Sequence, residues 1–237
     1  MKLSWRLVVA VVAALGLMIL AATDQILPAT SAYQAQMRVW MAARATGLVA
    51  LILIALLVVL GIMLSHPEQT QWKLAKRIYP WHESLWVFVF AFLIVHIVSL
   101  VIDPYAGVGI GGALVPGMSQ YRSAPVAIGV IALYALLITA MTARYTRLLP
   151  TGWWLKLHRL SGLVLAMAWA HGVLAGSDTK AVAPVYWGIV LAVVAAGAHR
   201  YWIVRRARAA QRQVHPALLN PARPLVEESH VRSHPAP

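Results

Sequence analysis

No cysteine occurs among the 237 residues, and that one absence removes disulfides, thiolate metal sites, iron–sulfur clusters and thiol catalysis together. Redox chemistry here needs a non-protein cofactor. Charge is scarce as well: 11% of the residues are charged, and only 7 are acidic against 20 Lys and Arg. A soluble domain carries about 25% charged residues, so this chain lacks the side chains to cover a water-facing surface. A nucleotide fingerprint is also missing. Gly107, Gly109, Gly111 and Gly112 form a glycine-rich stretch, read as an external loop because it has no strand–turn–helix context. No flavin or nicotinamide domain is expected within the chain, and no internal repeat is visible.

What is present is apolar. Hydrophobic residues make up 61% of the sequence, and several uncharged runs approach the ~20 residues a helix needs to cross a hydrocarbon core of ~30 Å. Spans are expected at 7–22, 45–65, 84–103, 124–143, 154–175 and 183–203, all helical because lipid offers no partner to an unpaired backbone group. The predicted fold is all-α: a polytopic six-helix membrane bundle. Lys2 and Arg6 before an apolar run ending in Ala21-Ala22-Thr23 also fit a signal peptide. Cleavage there leaves the topology of the other five spans unchanged.

Lys and Arg divide sharply by side. One face collects Lys2, Arg6, Lys73, Lys76, Arg77, Arg144, Arg147, Lys156, Arg159 and every Arg from Arg200 onward, whereas the other has only Arg38, Arg44, Arg122 and Lys180. The positive-inside rule then puts both termini in the cytoplasm. The same loop placement argues against nucleic acid as a partner despite the net charge of +13. Residues 1–204 read as the membrane domain. Residues 205–237 read as a basic, disordered cytoplasmic tail, either a solvated stop-transfer end or a contact for anionic lipid or a partner.

Histidine placement carries the most information. His82 and His96 fall at the start and outer half of the third span, and His158 and His171 lie at equivalent depths in the fifth. Ionisable residues inside a span are costly and mark function. Fourteen residues on an α-helix rise ~21 Å and stop about 40° short of four turns, so His82 and His96 face nearly one way. The thirteen-residue step from His158 to His171 stops about 140° short, which demands a local break or bulge, with Ser161-Gly162 as the soft point. Two histidines per level suit bis-imidazole haem. Zinc requires ligands converging at ~2 Å on one point, and a single membrane histidine can equally be a packed core residue. His199 reads as interfacial, and His66, His215, His230 and His234 as solvated. Trp81, Trp86, Trp153, Trp154 and Trp187 suit an aromatic belt.

Ala43-Arg44-Ala45 before a Gly- and Leu-rich helix, the His82/His96 pair, and Trp154-Leu155-Lys156-Leu157-His158-Arg159-Leu160 leading to His171-Gly172 together resemble the ferric reductase-like transmembrane domain. Ferric reductases, NADPH oxidases and the haem subunit of bacterial methionine sulfoxide reductase systems share that domain. Asp103-Pro104-Tyr105 and the Gly176-Ser177-Asp178-Thr179 turn are similar to short bacterial members without a fused reductase domain. The resemblance implies two haem b groups, with His82 and His158 ligating the cytoplasmic-side iron and His96 and His171 the outer one. Methionine sulfoxide reductase subunits typically lack the first of these histidines, which is present here, and Leu100 stands where NADPH oxidases carry a further histidine.

Haem propionates require cationic partners; Arg44 and Arg122 are the outer candidates, Arg77 and Arg159 the inner ones. The resemblance further implies an oxidoreductase subunit of the bacterial plasma (inner) membrane. Its donor is a separate cytoplasmic or membrane partner bringing FMN, FAD or quinol, and its acceptor is ferric iron, a reductase protein or oxygen outside. Two rival readings are a single-haem, quinol-linked subunit of a methionine sulfoxide reductase-type system and a non-redox transporter whose histidines relay protons or bind metal. The transporter is disfavoured by the lack of acidic residues within the spans, where only Glu83 and Asp103 come near.

Overall fold

The computed structural model describes residues 5–26, 30–65 and 73–218. His66, His230 and His234, and the expected tail beyond Leu218, lie outside them. The chain enters through α1 (Trp5–Ile26) and α2 (Ala32–Leu64). α2 starts well before the expected span, because Ser31 caps it by accepting the Gln34 N–H at 3.2 Å, while the Gln34 side chain accepts the Thr30 N–H at 2.8 Å. This reciprocal cap satisfies donors that the first turn otherwise leaves bare.

α3 (Lys73–Ile102) also begins early and carries Pro80 within it. Glu83 therefore sits inside a helix rather than at its end. The glycine-rich stretch read as loop is partly helical: Gly107 and Gly109 have positive φ, and α4 (Gly109–Leu114) follows. Beyond it come α5 (Ser123–Arg144), a 3-10 turn at Thr146–Leu148, α6 (Trp153–His158), α7 (Ser161–Ala175) and α8 (Ala183–Leu218). α8 runs past Val204, so the first part of the expected tail is helical.

Among the described residues four helices are long and apolar enough to cross a bilayer: Ala32–Leu64, Ala75–Ile102, Ser123–Arg144 and Ala183–Ala209, with a shorter apolar stretch at Val9–Ile19. The span expected at 154–175 is divided. α7 has 15 residues, about 22 Å at ~1.5 Å per residue, short of a ~30 Å core without α6. Large side chains cover the outside, Leu17, Trp187 and Leu191 each being more than 65% exposed. A water-soluble chain does not present such a surface, whereas lipid solvates it. The chain is a multi-pass membrane protein.

α2 is the central element, packing on α1, α3, α7 and α8, while α5 packs on α6 and α7. The core lies at mid-height, where Leu51, Ile54 and Ala55 of α2 meet Val89 of α3, Leu165 of α7, and Tyr186 and Ile189 of α8. α7 is tied to α8 by the Trp169 indole N–H, which donates to the Tyr186 carbonyl at 3.1 Å. Arg200 of α8 donates to the carbonyl and hydroxyl of Ser65, placing a cation at the C-terminus of α2, where the helix dipole is negative.

Candidate functional site

α3 brings one histidine to each of two levels, and α6 and α7 each bring a partner to one of them. His82 of α3 meets His158 at the end of α6, ring centres 6.0 Å apart and planes at 89°. His96 of α3 meets His171 of α7, centres 6.4 Å apart at 77°. Two imidazoles that share one metal at ~2 Å from each can have ring centres about 6 Å apart, so the spacing of both pairs would admit a metal between the rings. Among the described residues no three His, Cys, Asp or Glu gather as one metal cluster.

The thirteen-residue problem is solved by a break. α6 stops at His158 and α7 resumes at Ser161. Between them the Leu160 N–H reaches only to Leu157, and the Gly162 N–H to Arg159 at 3.4 Å, a tightening from i−4 to i−3 bonding that changes the rotation per residue. Gly152, with φ of 81°, begins α6 in a conformation that favours glycine.

The two tiers differ. In the His96 tier each ring is held by a backbone carbonyl: His96 Nδ1–H donates to Ala43 O at 2.6 Å and His171 Nδ1–H to Pro125 O at 2.9 Å. A carbonyl only accepts, so Nδ1 carries the proton and Nε2 is left with its lone pair, the arrangement in which metal-bound histidines are usually held. In the other tier Nδ1 of both His82 and His158 is buried without a hydrogen-bond partner. The Leu57 carbonyl acts on the His82 ring without forming a bond to that nitrogen.

A cavity of about 410 Å³ opens beside His96 and His171, lined also by Leu48, Leu133, Arg44 and Asp178. This is the range of small-molecule and cofactor sites, apolar with a few placed polar groups. Arg44 forms an ion pair with Asp178 across it, yet its Nε is buried and unpartnered. Arg44 thus retains a donor for an acidic group in the cavity. The paired imidazoles, bare Nε2 atoms and orphaned donor fit a haem and its propionate.

The other arginines are placed differently. Arg122 donates to the Leu174 and Gly176 carbonyls at 2.8 and 3.0 Å, so it pins the α7–α8 connection. Arg159 is exposed at the break between α6 and α7, and Arg77 is exposed on α3. His199 is exposed on α8, its ring 6.4 Å from Trp202. Trp81, Trp153, Trp154 and Trp187 are exposed while Trp86 is half-buried.

Three residues at the site escaped the sequence reading: Gly47, Gly61 and Gly129, which face His96, His82 and His171. One signal for two of them was available, because Gly47 and Gly61 are separated by the same fourteen residues as His82 and His96.

The chain is thus a multi-pass membrane bundle with two tiers of paired imidazoles. The family model for the ferric reductase like transmembrane component matches residues 46–169, more than half of the chain, which belongs to that family of membrane electron-transfer proteins. The matched stretch takes in His82, His96 and His158 and closes shortly before His171. No curated protein and no solved structure gives a significant match.

Proposed function

We propose that the chain is a bis-haem, b-type electron-transfer subunit that carries electrons across the bilayer. The observation that supports this most is the pair of ring separations, 6.0 Å for His82/His158 and 6.4 Å for His96/His171. In this reading each pair would hold the iron of one haem at its level. Haem b, when bound there, would supply reversible one-electron transfer.

The remaining work belongs to the protein. Ala43 O and Pro125 O fix the tautomer and rotation of His96 and His171. Arg44 Nε–H and, at the other tier, Arg159 offer charge-assisted donors to propionates. Between the tiers Leu51, Ile54, Val89 and Leu165 form a buried apolar layer that excludes water from the path. With both termini cytoplasmic, as the distribution of Lys and Arg supports, the His82/His158 tier faces the cytoplasm and the His96/His171 tier the outside of a bacterial plasma membrane. Residues 1–204 then form the haem-binding domain and 205–237 a cytoplasmic tail. The donor is a separate flavoprotein, flavin or quinol, and the acceptor is ferric iron or an external reductase protein.

One observation favours a second reading with a single haem: each ring of the His96 tier bonds a carbonyl through Nδ1 and a cavity lies beside the pair, whereas Nδ1 of His82 and of His158 has no partner. A reduced-minus-oxidised visible spectrum with haem counted per chain separates the two. Two low-spin haems in the parent, with His96→Ala and His158→Ala each losing one, is the expected result. One haem, insensitive to His158→Ala, selects the single-haem subunit. A colourless parent expressed with ample haem overturns both and leaves the transporter.

A further inference from the structure

The histidine rings do not lie on featureless helix. An ideal Cβ built on Gly47 comes within 2.8 Å of the His96 ring, one on Gly129 within 2.6 Å of His171, and one on Gly61 within 3.3 Å of His82. Each glycine is paired with a carbonyl four residues earlier on the same helix. Ala43 O accepts from His96, Pro125 O accepts from His171, and Leu57 O faces His82. One helical turn separates positions i and i+4, which share a face. In every case the ring therefore lies across one bare turn of a neighbouring helix; Nδ1 bonds the carbonyl below for His96 and His171, while His82 Nδ1 makes no such bond.

We propose that these carbonyl–glycine turns on α2 and α5 are histidine seats, and that Gly47, Gly61 and Gly129 are positioning residues that set the ring rotation of His96, His82 and His171. The inference rests on the haem reading above for its purpose but not for its geometry. α3 and α7 carry these three histidines, yet α2 and α5 decide which way they point. α2 acts as a ruler: Gly47 and Gly61 repeat the fourteen-residue interval of the two histidines on antiparallel α3, so one packing register seats both. His158 has no such seat. Counting thirteen residues along α5 from Gly129, as from His171 back to His158, arrives at Thr142, whose hydroxyl already occupies the Ile138 carbonyl at 2.8 Å. His158 Nδ1 is without a partner, as is that of His82, whose glycine leaves the looser approach of 3.3 Å.

The test uses the full chain in detergent, with Gly47→Ala, Gly129→Ala and the milder Gly61→Ala, against Gly197→Ala, whose added methyl meets nothing within 4 Å. Side-chain ¹⁵N spectra of histidine-labelled, haem-free protein report the ring tautomers. In the parent His96 and His171 are expected as the Nδ1–H form. Gly47→Ala should release His96 and Gly129→Ala His171, each leaving the other ring unchanged, with Gly197→Ala silent. In the haem-loaded chain the first two should disturb only one low-spin signal and Gly61→Ala only the other. Unchanged tautomers in folded Gly47→Ala and Gly129→Ala overturn the seats. So does an equal disturbance of every histidine by all three variants, which marks general loss of packing. A parent that takes up no haem removes the electron-transfer reading, while the ¹⁵N comparison still decides whether the glycines seat the rings.

Discussion

Arg122 stands at the start of α5 with φ of 41°, a left-handed conformation that costs a non-glycine residue about 1–2 kcal/mol. Its guanidinium offsets this by bonding two carbonyls at the end of α7. Arg122→Gly and Arg122→Ala both lose those bonds, but only alanine keeps the strain. Arg122→Ala should therefore unfold more easily than Arg122→Gly by about 1 kcal/mol; equal denaturation midpoints in detergent would remove the strain argument. The Arg44–Asp178 pair is 28% and 39% exposed at its two side chains, so water screens it and its coupling should be on the order of 1 kcal/mol or less. A double-mutant cycle of Arg44→Gln with Asp178→Asn measures that coupling, and a value of several kcal/mol would mean the pair is desolvated in the bilayer.

Among the elements, the α6–α7 junction matters most to the site. The sequence already required an irregularity between His158 and His171, because an unbroken helix points them 140° apart from a common face at ~100° per residue. The observed break lies at Arg159–Leu160, adjoining the Ser161-Gly162 soft point. An alanine inserted after Leu160 rotates α6 by about 100° relative to α7 and should remove His158 from His82 while leaving His96/His171 intact. Loss of one haem of two is the expected spectrum; retention of both would show that α6 docks independently of α7. Helix ends were less legible. α2 and α3 both begin well before their apolar runs, because capping and polar helix formers extend a helix beyond the bilayer core, where hydropathy carries no signal.

For the whole molecule, orientation is the property to test, and the absence of cysteine provides a clean background. Ser177 and Arg147 are exposed at opposite ends of the bundle. In intact cells Ser177→Cys should react with a membrane-impermeant maleimide, whereas Arg147→Cys should react only after permeabilisation. The reverse pattern would invert the bundle and exchange the donor and acceptor tiers.

Composition and the spacing of histidines sufficed for the membrane class, the helical fold and the four imidazoles at two depths, and the motifs around Arg44, His158 and His171 for the family resemblance, because hydropathy, helical period and motif are local properties written residue by residue. Tertiary structure alone decided what each ring touches. The Ala43 and Pro125 carbonyls lie 53 and 46 residues from their histidines, and Asp178 reaches Arg44 from a distant turn. The glycines opposite the rings matter through the side chain they lack, which only the packing of a second helix reveals. Such partners are selected by the register of one helix against another, and that register depends on side-chain packing across the bundle, which no single stretch of sequence encodes.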